Sequence, residues 1–215
     1  MKLPEGVLLQ AAACLGIPGM TAAHAAELLA AEPGAKTVLV TGAGNAVGNL
    51  ACQMAKQAGL KVLGTASSRR RELAEKAGCD AVIDPYGDDL AKTVLAANDG
   101  APVDALIDMD FSSTASLLGQ GVLKPHGVLI GYGSNDMGQV CFDFRQALFN
   151  CHRFSFFVVY ELPAAEREAA MRRLEQALGA GLYIAIGAVL PLEETAQAHQ
   201  LVEAGATAGN VLLGC

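Results

Sequence analysis

Six short apolar or β-branched runs recur between residues 37 and 159: "TVLVT" (37–41), "KVLGT" (61–65), "DAVID" (80–84), "VDALID" (103–108), "GVLIGY" (127–132) and "RFSFFVV" (153–159). Helical patterns separate them. Residues 47–58 place Val47, Leu50, Ala51, Met54, Ala55 and Ala58 on one face, and 69–77, 88–97 and 112–120 are shorter helical stretches. Strands joined by helical crossovers are parallel, and nearly continuous apolar strands belong to a sheet covered on both faces. The expected fold is therefore α/β: a doubly wound parallel six-stranded sheet of order 3-2-1-4-5-6. With 215 residues, 52% of them hydrophobic and 17% charged, the chain can bury such a core.

The alternation does not extend to the ends. Residues 5–15 and 21–32 read as helices in a lead-in segment, 1–36. After the sheet unit, 37–160, a segment 161–215 opens with Pro163 and a helix stopped by Gly179 and Gly181. It closes with a strand near 183–189, a helix near 192–204 and a strand near 210–213. The two tail strands lie outside the alternation. They should pair with each other, pair with another chain, or be poorly ordered.

Directly after the first run stands "TGAGNAVGN" (41–49). Gly42 and Gly44 permit a tight turn, Asn45 tolerates left-handed backbone, and Gly48 lets the following helix approach the sheet. Free N–H groups from Gly42 through Ala46, Val47 and Gly48, backed by the helix dipole, suit a pyrophosphate. The spacing is one residue longer than the usual dinucleotide fingerprint, so its position between a strand and an amphipathic helix carries the assignment. An NAD site presents an acid about 20 residues further on. Here the second strand ends "TASSRRREL", and Ser67, Ser68, Arg69 and Arg70 offer hydroxyls and guanidinium groups to a ribose 2′-phosphate. The expected cofactor is NADP(H).

Other classes are disfavoured. A net charge of −7, with arginine clusters only at 69–71 and 172–173, speaks against nucleic acid. The six cysteines form no CxxC pair, so neither a disulfide framework nor a metal site is expected, and a reducing cytoplasm fits them. The opening "MKLPEGVLLQAAACLG" is broken by Pro4 and Glu5 and is not read as a secretion signal, and polar residues interrupt any membrane span. His24, His126, His152 and His199 belong to no metal motif, and no catalytic residue stands out. Asp108 and Asp110 follow the fourth strand, where an acid/base pair or a ligand-side loop are both open readings.

The segments "LPEGVLLQAAACLGIPGMTAAHA", "VLVTGAGNAVGNLACQMAKQAG", "KAGCDAVID", "LKPHGVLIGYG" and "PLEETAQAHQLVEAGATAGNVLL" together resemble the quinone oxidoreductase and enoyl reductase branch of the medium-chain dehydrogenase/reductase superfamily. The resemblance implies a Rossmann domain and hydride transfer from NADPH to a small-molecule acceptor, a quinone or an activated C=C. It places Thr21 near the nicotinamide carboxamide and Gly131, Tyr132 and Gly133 along the nicotinamide ring. A tyrosine common after the third strand is here Pro85 followed by Tyr86, and a lysine of the final "GKV" is Asn210. Family members carry an N-terminal GroES-like catalytic domain ahead of "LPEG", so a domain of about 100 residues is missing by this resemblance. The segment 161–215 is then a remnant completing that domain. The alternative reading is a nucleotide-binding module or split-enzyme half without redox activity of its own. The apolar edge strand, 153–159, is expected to pair across a two-fold axis in a homodimer.

Overall fold

The computed structural model describes Leu3, Pro4 and residues 6–214. Glu5, first residue of the helix expected over 5–15, and Cys215 lie outside that set. Two helices lead in, α1 (Leu9–Ala13) and α2 (Ile17–Ala30). The second begins four residues before the expected start at 21. Pro18 sits in its first turn, where a missing N–H leaves no helical bond unmade.

The alternation follows as β1 (Thr37–Val40), α3 (Ala46–Gln57), β2 (Lys61–Thr65), α4 (Arg71–Lys76), β3 (Ala81–Ile83), α5 (Leu90–Ala97), β4 (Val103–Asp108), α6 (Phe111–Thr114), β5 (Leu123–Gly131), α7 (Phe144–Phe149) and β6 (Arg153–Phe156). The sheet is six-stranded, with order β3-β2-β1-β4-β5-β6 and every pairing parallel. Side-chain alternation divides its core. Val38, Val40, Val62, Ala105, Ile107, Val128 and Ile130 face α2, α3 and helix α8 (Ala164–Gly179). Leu39, Leu63, Leu106 and Leu129 face α5 and the 3-10 run 115–120. Helices from both flanking segments thus share one core with the sheet.

Four local expectations are corrected. The strand expected at 127–132 starts at Leu123, because Val103 pairs with Leu123 before a register shift carries Ala105 to Val128. The strand expected at 153–159 stops at Phe156, because its partner β5 ends at Gly131 opposite it. The helix expected over 112–120 splits into α6 and a 3-10 run. Helix α7 was not expected. Asp143 caps it by accepting the Gln146 amide at 2.9 Å, and Phe144 and Phe149 point to solvent, so it has no amphipathic signature.

The tail strands, β7 (Ile186–Pro191) and β8 (Asn210–Gly214), pair with each other in parallel, with α9 (Thr195–Glu203) between them. Of the three outcomes open to them, mutual pairing is the one found. No helix among the described residues is long and apolar enough to cross a membrane.

Candidate functional site

At the carboxyl end of β1 the chain turns through Gly42, whose φ is +67°. Its amide donates to the Thr65 hydroxyl at 3.0 Å, and the Ala43 amide donates to the Thr65 carbonyl at 2.7 Å, fastening the turn to β2. The Asn45 amide closes the turn on the Gly42 carbonyl at 2.8 Å. A Cβ on Gly48 would stand 2.3 Å from that carbonyl, so only glycine lets α3 approach so closely. The amides of Gly44, Ala46, Val47 and Gly48 have no protein partner among the described residues. They form the open N-terminus of a twelve-residue helix, the geometry that receives an anion.

Of these four residues Gly44 lines a cavity of about 560 Å³, together with Gly42, Asn45, Ser67, Arg69, Arg70 and Tyr86. Arg70 lies across the turn, its guanidinium donating to the Asn45 side-chain oxygen. A Cβ on Gly44 would meet Arg70 Cβ at 2.5 Å and its carbonyl at 2.7 Å. Arg69 is exposed and makes no ion pair among the described residues. Arg71 turns away, bonding Glu75 and the Val82 carbonyl. Eight expected residues do not line this cavity: Ala46, Val47 and Gly48 follow Asn45 at the start of α3, Tyr132 and Gly133 line a neighbouring cavity, and Thr21, Ser68 and Gly131 lie elsewhere. Ser68 is exposed outside its lining. Thr21 is buried in α2, its hydroxyl donating to the Ile17 carbonyl at 2.7 Å. Gly131 packs under Phe156, whose ring an added Cβ would meet at 2.6 Å.

Residues from distant parts of the chain complete the lining, among them Thr65, Met109, Asn135 and Gly205. Met109 covers Gly42, and its sulfur accepts from the Asn45 side-chain Nδ2 at 2.9 Å. Position at the carboxyl ends of β2 and β4 was the available signal for the first two. Asn210, where a lysine was expected, donates its side-chain amide to the Ala185 carbonyl at 2.9 Å.

Asp108 and Asp110 build the loop beside the cavity. Asp108 is fully buried and accepts the Thr41 and Thr114 hydroxyls at 2.7 and 2.6 Å. Burial pushes its carboxyl above the ordinary range, and those hydroxyls recover only part of the shift. Asp110 accepts the Asn135 backbone and side-chain amides at 2.8 and 2.6 Å and the Ser112 hydroxyl at 2.5 Å. Burial raises it, but the Asn135 amide, then Ser112, outweigh burial and hold it low. Their acceptor capacity is taken up by the loops, which favours positioning over acid/base work. Tyr132 is raised above the phenol range, by burial first and then by Asp108.

A second cavity, of about 660 Å³, adjoins the first through the loops at 109–113 and 133–136. Tyr132 and Gly133 line it with Phe111, Phe156, Phe157 and Glu166. No group of three His, Cys, Asp or Glu side chains among the described residues could hold a metal ion.

Fold and site define the doubly wound α/β class in which ligands lie across the carboxyl ends of the strands. Residues 46–176 match the zinc-binding dehydrogenase family, and the chain belongs to that family. Human quinone oxidoreductase is 31% identical over 224 residues, covering 99% of this chain and 65% of the relative. The pig quinone oxidoreductase is 30% identical over 223 residues, covering 98% and 64%. A mycobacterial protein solved in complex with NADPH superposes with a TM-score of 0.81 at 26% identity, covering 99% of this chain and 66% of that one. The chain thus spans about 65% of the length of the human relative. The described residues supply no donor set for the zinc of the family's name.

Proposed function

We propose that this chain is the NADPH-binding portion of an oxidoreductase that passes hydride to a quinone or an activated C=C acceptor. The observation that carries the reading is the run of amides at Gly44, Ala46, Val47 and Gly48, without protein partners among the described residues, which begins at the wall of a cavity that Gly44, Arg69 and Arg70 line. The amides receive the pyrophosphate, and Arg69 with Ser67 receives the ribose 2′-phosphate. No carboxylate stands at the end of β2 to select an unphosphorylated ribose. The mycobacterial neighbour's NADPH and the relatives' quinone oxidoreductase names agree with this choice. NADPH, when bound, supplies the hydride, and the protein orients it and excludes water.

The second cavity, walled by Phe111, Tyr132, Phe156 and Phe157, suits the nicotinamide end and a flat apolar acceptor. Residues 37–160 form the cofactor-binding unit, a homodimer forms through β6, and the protein works in the cytoplasm. A module that binds nucleotide without turnover is the second reading, favoured by the carboxylates of Asp108 and Asp110, whose acceptor capacity is taken up by hydrogen bonds within the loops. NADPH oxidation by the purified chain with a soluble quinone, then with an enone, separates the two. Turnover supports the reductase, and binding without turnover supports the module.

A further inference from the structure

Cys52 and Cys79 take no part in the reading above. Cys52 is fully buried in the middle of α3, whereas Cys79, in the turn between α4 and β3, is partly open to solvent. Their sulfurs lie 3.5 Å apart and share a hydrogen bond. Among the described cysteines this is the one pair in such contact. A disulfide bond is about 2.05 Å long, so a relative movement of roughly 1.5 Å joins them.

The surroundings hold the pair in register. Cys79 Sγ occupies the space over Gly64 of β2, where an added Cβ would meet it at 2.6 Å, and the Ala43 methyl of the glycine turn stands equally close. Lys56, one turn beyond Cys52 on α3, ion-pairs with Asp80, next to Cys79, at 2.9 Å. The hydrogen bond with Cys52 holds the Cys79 thiol below its ordinary range despite burial, with help from the Lys56 ammonium. Burial keeps Cys52 well above its range and so protonated.

We propose that Cys52 and Cys79 are a hydroperoxide-reactive dithiol that closes to an intrachain disulfide. Exposure makes Cys79 the residue a peroxide reaches. Its thiolate attacks one oxygen of ROOH; the O–O bond breaks, an S–O bond forms, and ROH leaves after taking a proton. The Cys52 sulfur then attacks the Cys79 sulfur; the S–S bond forms, the S–O bond breaks, and water departs with the Cys52 proton. Two thiols have lost two electrons and two protons, and ROOH has become ROH and water. The disulfide ties α3 to the turn before β3, beside Ala43. None of this depends on which nucleotide the chain binds.

The test treats the intact chain with hydrogen peroxide and maps a non-reducing digest by mass spectrometry. The expected result is a linked Cys52–Cys79 peptide that forms in higher yield than any linkage through the exposed Cys141 or Cys151 and is lost on reduction. In Cys52→Ala, Cys79 should accumulate as a sulfenic acid captured by dimedone, which the unaltered chain should not show. The proposal is overturned if Cys79 of the unaltered chain proceeds to sulfinic acid while Cys52 stays a free thiol. It is overturned equally if both thiols survive peroxide doses that oxidise Cys141. The digest needs no variant to fold.

Discussion

Gly48→Ala sets two effects of opposite sign against each other, and the geometry says which prevails. Within a helix, replacing glycine by alanine gains about 1 kcal/mol. The new Cβ, however, would stand 2.3 Å from the Gly42 carbonyl oxygen. A carbon–oxygen contact settles near 3.3 Å, so α3 must back away by about 1 Å. Both partners are main chain, and no rotamer change relieves the contact. Overpacking of this kind costs about 1–3 kcal/mol, and a backbone-on-backbone clash belongs at the upper end, leaving a net loss of about 1–2 kcal/mol. Retreat of the helix also moves the amides of Ala46, Val47 and Gly48 off a bound pyrophosphate, and losing one charge-assisted bond costs about 1.5–3 kcal/mol, tenfold or more in Kd. Gly179→Ala is the control. Gly179 ends α8 with nothing within 4 Å of its would-be Cβ, so the helical gain should appear alone. Urea unfolding of both variants measures stability, and fluorescence titration with NADPH measures the cradle. If Gly48→Ala proves as stable as Gly179→Ala and binds NADPH normally, the reasoning is wrong.

Arg69→Ala should weaken NADPH by about 1.5–3 kcal/mol and leave NADH nearly unchanged, because Arg69 is exposed and has no ion-pair partner to release among the described residues; parallel titrations showing equal losses would remove the 2′-phosphate assignment. Arg70→Ala should affect both nucleotides, since it also frees Asn45 at the turn. Burial pushes the Asp104 carboxyl up, but the Lys124 ammonium, the Lys36 and Thr37 amides and the Thr37 hydroxyl together hold it at about 2. Its folded value lies below the unfolded value of about 3.9, so its stabilisation is full above pH 4 and is lost as pH falls towards 2. Asp104→Asn should therefore lower the urea midpoint at neutral pH and flatten its acid limb; an unchanged limb would show that other carboxylates set it. Phe156, 57% exposed on edge strand β6, packs against Phe111 and Phe154. Sedimentation should find a dimer that Phe156→Lys dissociates, and a monomeric parent chain at micromolar concentration would sink that interface.

What could be read from the sequence was what local pattern encodes. Val38 and Val40 alternate with Leu39 across the sheet, and the runs at 37–41, 61–65 and 103–108 announce strands buried on both faces. Less legible were features set by a distant partner. Nothing in "RFSFFVV" says that β6 must stop opposite Gly131, and nothing near "LKPHG" says that Leu123 reaches Val103. The site divides in the same way. The glycine turn and the arginines after β2 were visible because strand, turn and helix are contiguous. Met109, Asn135 and Gly205 reach the cavity only through the topology. Ser68 was drawn in by its neighbours and faces elsewhere, since the 3-10 turn at 68–70 points Arg69 and Arg70, not Ser68, to the cavity.

Titration of the purified chain with NADPH and NADH under identical salt tests the central claim most directly. Saturable binding of NADPH is predicted, tighter than that of NADH and weakened as salt screens the Arg69 and Arg70 charges. Absence of binding to either nucleotide, or a preference for NADH, would contradict it.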